Sequence, residues 1–401
     1  MDKAFVIFLI TYAVIALGQP PLFRIDRTGA ALIGASLMIV LNVLDIETAY
    51  KAIDYQTIVL LFSMMIVVAN LRLSGFFHLV SSFVMNRIRT PAAFLYVLIL
   101  VSGFFSALFI NDTVCLVFTP LVLGLTARMG LNPVPYLLAL CMASNIGSVA
   151  TITGNPQNIM IGSFSQIAYA RFTLRMFPIA LVGLVLCAIV VAIRYRGQFV
   201  NRGLSQPALR ARIHKPLLIK SSAVALVMMV LFFAGVPMTT AAVGAASFLL
   251  ITRRVKPEKV YNAIDWRLLV LFVGLFIVVK GTEHSGIAME MIREIGNKAV
   301  GHPIYLVVSS ALLSNVVSNV PAVMLFRPLM SSMPDQETAW LMLAMSSTLA
   351  GNLTIMGSIA NLIVIEAAGS KVKIGLLEYM KVGVPVTVLS ICFGVFWLTV
   401  M

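Results

Sequence analysis

The sequence predicts an all-α polytopic membrane protein built as two inverted-topology repeats, each with a re-entrant helical hairpin and a discontinuous transmembrane helix. Three observations carry this expectation. Of 401 residues, 60% are apolar and only 11% charged, against roughly 25% charged in soluble domains. A soluble exterior needs more polar surface than that, so lipid is the solvent that suits this composition. A segment starting at Ala52 recurs at Ala263. Finally, each half interrupts its apolar segments with matched polar stretches, which lipid-exposed backbone does not tolerate at membrane depth.

A spanning helix needs about 20 apolar residues. Candidates lie at 4–18, 28–45, 56–71, 92–110, 174–194, 217–235, 238–252, 266–282, 303–317 and 376–400. The first lacks a basic leader region and a small-residue cleavage site, and further spans follow it, so it reads as a helix and not as a signal peptide. The net charge is +14, from 29 Lys and Arg against 15 Asp and Glu. The basic residues sit in short runs between apolar segments, notably Arg194 to Lys220 and Arg253 to Lys259. Such runs mark cytoplasmic loops and argue against nucleic acid as a partner. Arg24, Arg27, Arg87 and Arg89 also fall inside, and Gly235-Val236-Pro237 turns outside, so the first helix enters from outside. The longest polar break divides the chain into a first repeat over 1–195, a cytoplasmic linker over 196–216 and a second repeat over 217–401. A multi-pass protein of the cytoplasmic (inner) membrane, with lipid around it, is the expectation.

The duplication is direct. Ala52-Ile53-Asp54 aligns with Ala263-Ile264-Asp265, and without a gap 10 of 24 residues are identical, ending at Ser74-Gly75 and Ser285-Gly286. Arg72, Arg87 and Arg89 follow the first copy without any acid, so it runs outside to inside. The second copy starts after a basic loop and leads to Glu283, Glu290 and Glu294, so it runs inside to outside. Copies of opposite topology are characteristic of secondary transporters, which place their substrate site where the repeats meet.

Two interruptions recur in each half. The first pair is Phe105 to Pro120, with Asn111, Asp112 and Thr113, and Leu312 to Pro328, with Ser318 and Asn319. Each predicts a re-entrant hairpin with the Asn at its tip; the alternative is a kinked helix with a buried Asn. The second pair runs from Ser144 to Asn158 and from Gly351 to Asn361. It contains Asn145, Gly147, Thr151, Gly154 and Asn158 in one half and Asn352, Thr354, Gly357 and Asn361 in the other. Glycine costs a helix interior about 1 kcal/mol relative to Ala, and unwinding frees carbonyls and amides to face a solute. The alternative is a small-residue packing face. Among charges within the membrane, Asp112 at a hairpin tip is the first candidate for proton or ion coupling. Arg327 can instead face the membrane surface, Lys280 can snorkel, Glu366 can pair with a nearby base, and Cys115 can serve as a small packing residue. The cysteines and the four histidines are scattered, with no metal-ligand spacing and no nucleophile–base arrangement. The expectation is therefore no metal, no catalytic residue and no cofactor beyond a proton or sodium gradient.

At these residues the chain resembles the ion-transporter superfamily, which includes arsenite/antimonite permeases, sodium–proton antiporters and dicarboxylate or sulfate transporters. Asn145-Ile-Gly147 leading to Gly154-Asn-Pro-x-Asn158, and Gly351-Asn352-x-Thr354 leading to Gly357-x-x-x-Asn361, carry the likeness. Ile110-Asn111-Asp112 followed by Thr119-Pro120, with Ser74-Gly75-Phe76-Phe77 and Asn319-Val320-Pro321, is similar to the arsenite permease branch. Many relatives have Gly-Asp-Pro-Pro-Asn where this chain has Gly154-Asn155-Pro156-Gln157-Asn158, which weakens cation coupling at that position. A carboxylate at the tip also repels a dianion, by about 4 kcal/mol for unit charges 4 Å apart at an effective dielectric near 20. The resemblance implies efflux of neutral arsenite or antimonite in exchange for protons. Asn111, Thr113, Ser318 and Asn319 would hydrogen-bond the solute, and Asp112 would carry the proton. A cation-coupled permease for a small anion and a Na⁺/H⁺ antiporter are the alternatives. The resemblance also implies a homodimer, and since the chain has no P-loop, any ATPase would be a separate soluble partner.

Overall fold

The structure is a computed structural model. It describes residues 2–17, 25–85, 88–199, 213–251, 255–283, 290, 294, 302–369 and 372–400. In the first half these form α1 (Lys3–Leu17), α2 (Arg27–Val40), α3 (Ile46–Ala52), α4 (Tyr55–Ser74), α5 (Phe76–Met85), α6 (Pro91–Leu108), α7 (Asn111–Arg128), α8 (Val134–Ser148), a 3₁₀ turn (Ile152–Gly154), α9 (Pro156–Ser165) and α10 (Tyr169–Arg194). The second half holds α11 (Lys215–Phe233), α12 (Met238–Leu250), α13 (Pro257–Tyr261), α14 (Trp266–Thr282), α15 (Pro303–Val317), α16 (Asn319–Met330), α17 (Gln336–Ala350), a 3₁₀ turn (Ile355–Gly357), α18 (Ile359–Ala368) and α19 (Leu376–Val400). Among the described residues the order of elements in the first half recurs in the second; the place of an α5 counterpart falls largely outside them. Most of the linker expected at 196–216 lies outside the described residues.

Local chemistry explains many of the boundaries. Asp26 accepts from Gly29 N–H at 2.8 Å, Asp45 from Thr48 N–H at 2.6 Å and Asp335 from Thr338 N–H at 3.0 Å. The repeated Ala-Ile-Asp motif has the same role twice: Asp54 caps α4 through Gln56 N–H and Asp265 caps α14 through Leu268 N–H. A carboxylate there satisfies an orphan donor and faces the positive end of the helix dipole. The span expected over 28–45 stops short, because Asn42 takes the left-handed conformation (φ 54) after Val40 and Asp45 opens a new helix. Asn tolerates that conformation better than most residues.

Among the described residues, five helices are long and apolar enough to cross a membrane by themselves: α4, α6, α10, α11 and α19. On α10 the exposed residues Leu174, Phe177, Leu181, Val185, Ile189 and Ile193 form a stripe at helical spacing, the pattern of a lipid-facing surface. Its other face runs antiparallel to α19. Trp397 Nε1 donates to Arg175 O at 2.9 Å at one end, and Arg194 and Tyr195 meet Glu378 at the other. Of the duplicated helices α4 and α14, Arg72 near the end of the first and Asp265 at the start of the second line one cavity, as copies running in opposite directions would place them.

Glycine lets the helices around the hairpins approach closely. A Cβ on Gly147 of α8 would lie 2.1 Å from Gly103 O of α6, and one on Gly154 would lie 2.2 Å from Ser148 O. Overpacking costs about 1–3 kcal/mol where neighbours can shift, and here the neighbours are backbone. Gly147→Ala should therefore lower the thermal midpoint in detergent. Gly124→Ala, inside α7 where a Cβ meets nothing within 4 Å, should instead raise it slightly, by the helix propensity gained.

Candidate functional site

Both expected hairpins are present. Phe105 on α6 and Phe118 on α7 have ring centroids 6.3 Å apart, and both contact Phe77 of α5. Contact between residues on either side of the 109–110 turn shows that the chain doubles back there. Asn111 is the first residue of α7 and Asn319 the first of α16. The tips differ in backbone. Ile110 has φ −55 and ψ 121, whereas Ser318 has φ 78 and ψ 161, a region that strains any residue with a Cβ.

The helix breaks are near copies of each other. Thr151 and Thr354 are extended, with φ −139 and −135, and each leads into a single 3₁₀ turn and then a capping residue, Asn155 or Ser358. Breaking a helix frees carbonyls that water cannot reach at this depth. Asn158 Nδ2 donates to Ser148 O at 3.1 Å and Thr151 O at 3.0 Å. Asn361 Nδ2 donates to Gly351 O at 2.7 Å and Thr354 O at 3.2 Å. These two side chains, expected to bind solute, therefore first repair the backbone beside them.

Asn145 joins the halves. Its Oδ1 accepts from Asn111 Nδ2 at 3.0 Å and from Ser358 Oγ at 3.0 Å, while its Nδ2 donates to Asn352 Oδ1 at 2.8 Å and Asn361 Oδ1 at 3.1 Å. Asn352 also donates to Met142 O at 3.3 Å. On the other side, with the Asn319 amide turned to the orientation that satisfies both its ends, it donates to Gly357 O and Ser347 O, both at 3.1 Å, and accepts from Gln157 Nε2 at 3.1 Å. Gln157 and Asn155 both reach Thr348 Oγ1, at 3.1 and 3.2 Å. Thr151 Oγ1 donates to Ala107 O, and Thr354 Oγ1 donates to Asn315 Oδ1 at 2.7 Å. Two buried acceptors, Asn111 Oδ1 and Asn158 Oδ1, have no hydrogen-bond partner among the described residues.

Asp112 and Thr113 point away from this knot. They line a cavity of about 110 Å³ with Arg72, Asp265 and apolar residues that include Met65, Leu116 and Ile363. A larger cavity of about 480 Å³ shares Asp265 and Leu268 with it and adds Asp26, Arg27, Arg267 and Glu366. Met356 and Ile359, which flank Gly357 and Ser358, also line this cavity. The remaining candidates are placed as follows. Gly147 sits in the α6–α8 contact, and Gly357 approaches Gly351 and Asn315. Arg327 lies over the Phe164 ring at 3.9 Å, Lys280 pairs with Glu283 at 2.5 Å, Glu366 lines the larger cavity, and Cys115 is buried. No cluster of three or more His, Cys, Asp or Glu residues able to hold a metal occurs among the described residues. Ser358, Thr348, Asn315 and Asp265 were not singled out as site residues from sequence. Their signal was their place inside, or next to, the repeated motifs.

Residues 6–350 match the family described as "Citrate transporter" (CitMHS). The chain belongs to that family. The "46 kDa membrane protein" of Mycobacterium leprae is 32% identical, with 98% of this chain and 96% of that protein covered. The "Silicon efflux transporter LSI3" of Oryza sativa is 30% identical, covering 87% of this chain and 86% of its own length. The "Putative transporter arsB" of Dictyostelium discoideum is 24% identical over 92% and 87%. The crystal structure of the Alcanivorax borkumensis YdaH transporter shares the fold, with a TM-score of 0.55, 12% identity and coverage of 100% and 97%. The chain is thus a multi-pass membrane protein and a secondary transporter of the ion-transporter superfamily.

Asn145→Ala removes four hydrogen bonds from a fully buried position and leaves its partners unpaired. Each unsatisfied buried group costs about 1–3 kcal/mol, so the variant should lose most of its folded yield in detergent, read by size-exclusion profile. Ser318→Gly should act in the opposite direction. Relief of about 1–3 kcal/mol of backbone strain should raise the thermal midpoint by several degrees.

Proposed function

We propose that this transporter expels small neutral hydroxides, with arsenite or antimonite as the leading substrates, in exchange for protons across the cytoplasmic membrane. The observation that carries the reading is the cavity in which Asp112 and Thr113 of the hairpin tip face Arg72 and Asp265. At about 110 Å³ it is small beside the roughly 300–1,000 Å³ of pockets for drug-sized ligands. Two carboxylates on its wall disfavour a multiply charged anion, while an uncharged hydroxide meets no such barrier. Asp112 would exchange the proton, and Thr113 would hydrogen-bond the solute. Asn111 Oδ1 and Asn158 Oδ1, buried acceptors without partners among the described residues, lie outside this cavity and would meet the hydroxyl donors of a solute only after the repeats move. Relatives described as a silicon efflux transporter and a putative arsB transporter support this substrate class. In this reading the two repeats, 1–195 and 217–401, alternate around the Asn145 knot.

A second reading is cation-coupled movement of a carboxylate or other small anion. The family's description as a citrate transporter favours it, and the same two unpartnered acceptor oxygens would suit a sodium ion.

Inverted membrane vesicles containing the protein decide between the two. With the interior acidified, wild type should accumulate arsenite, and Asp112→Asn should lose the gradient-dependent part. Transport of citrate or sulfate, with no movement of arsenite or antimonite, would replace the first reading by the second. Full gradient-driven arsenite uptake by Asp112→Asn would remove the proton role from that residue.

A further inference from the structure

The two helix breaks are equivalent in sequence but not in exposure. Thr153 in the first break is fully buried, whereas its counterpart Met356 in the second is 59% exposed. Met356 lines the larger cavity, whose mouth carries Arg27 and Arg267, the face that basic residues mark as cytoplasmic. The structure is therefore open on the cytoplasmic side of the second repeat and sealed at the matching place in the first.

The sealed side shows how closure is made. Ser163 near the end of α9 donates to Asp54 Oδ2 at 2.8 Å, tying the second half of the broken helix to the start of α4. Thr57 donates to the same oxygen. The repeat offsets map Asp54 onto Asp265, Ser163 onto Glu366 and Thr57 onto Leu268. The acceptor is kept, but both donors are lost: one position is now apolar and the other is a second carboxylate. Asp265 and Glu366 both line the open cavity with Asp26, Arg27 and Arg267, and Asp112 and Arg72 lie in the cavity that shares Asp265 with it.

We infer that Asp265 and Glu366 form a proton-operated gate at the cytoplasmic mouth, closing only when one proton lies between the two carboxylates. The inference rests on the alternating repeats of the proposed function. When the repeats exchange conformations, Glu366 takes the place against Asp265 that Ser163 now holds against Asp54. Two ionised carboxylates at that distance repel, and a shared proton turns the repulsion into a hydrogen bond. Asp265 remains the acceptor because it caps α14 through Leu268 N–H, and Glu366 is the donor. Arg27 and Arg267 stabilise the ionised, open form. The cytoplasmic gate thus carries a proton requirement that the external Asp54–Ser163 gate lacks.

The test reads access to Met356, which needs no substrate, so it can fail while the substrate assignment stands, and the reverse. In full-length protein with Cys392→Ser and Met356→Cys, a membrane-impermeant maleimide is applied to the cytoplasmic face of vesicles. The other native cysteines are buried. Rates are divided by those of the same protein carrying Glu366→Ala, which cannot bridge to Asp265; the division cancels the thiol's own titration. One proton linked to closure changes the open-to-closed ratio by up to about tenfold per pH unit, so the normalised rate should drop as the pH is lowered. Glu366→Gln, whose amide donates as the protonated acid does, should stay slow at every pH. Glu366→Ser, which copies the external gate, should also lose the pH dependence. A normalised rate that does not change with pH in the parent, or that keeps its pH dependence in Glu366→Gln, overturns the gate.

Discussion

The constraint on which the rest of this structure depends is that two helices must be broken in the middle of a membrane without leaving backbone groups unpaired. A freed carbonyl or amide at that depth has no bulk water to turn to, and an unsatisfied buried group costs about 1–3 kcal/mol. The chain solves the problem twice with one device. Asn158 and Asn361 each reach back to the two carbonyls that their own break releases, and Asn155 and Ser358 cap the half-helices that follow. Asn145 then links both breaks to each other and to the first hairpin. Packing follows from that arrangement, because Gly147 and Gly154 bring backbone to within contact of backbone around it.

Within this repaired frame the two repeats have diverged at the hairpin tips and in the access to the breaks. The first hairpin tip has an ordinary backbone and presents Asp112 and Thr113 to a cavity; the second turns through Ser318 at φ 78 and presents no acid. The breaks that follow share their hydrogen bonds but differ in access, one buried and the other open to a cavity lined by three acids and two arginines. Pseudo-symmetry makes the folding problem the same in both halves, while the side chains at equivalent positions set different electrostatics in each half.

Much of the architecture was legible in the sequence because the signals are local or repeated. Composition identifies lipid as the solvent, the recurrence of Ala-Ile-Asp reveals the duplication, and the Asn, Gly and Pro residues mark hairpins and breaks. Span ends were less legible: α2 ends at Val40, since the left-handed Asn42 and the Asp45 cap depend on backbone conformation that an apolar run does not disclose. Residue roles were the hardest to read. A polar residue in an apolar stretch looks the same in sequence whether it lines a cavity, as Thr113 does, or mends its own helix, as Asn158 does.

By itself, then, the sequence determined the class of the protein, its two-fold internal repeat and the positions where helices had to be interrupted, because hydropathy, charge and repetition act along the chain. Only the tertiary structure decided which asparagines bond to one another, which acids share a cavity and which break is open. Those outcomes depend on residues far apart in the chain meeting across the two halves, as Asn145 meets Asn352 and as Asp112 and Asp265 come to line one wall. Hydrogen bonding and charge act over a few ångströms of space, and the chain's order does not specify those distances until the halves are packed.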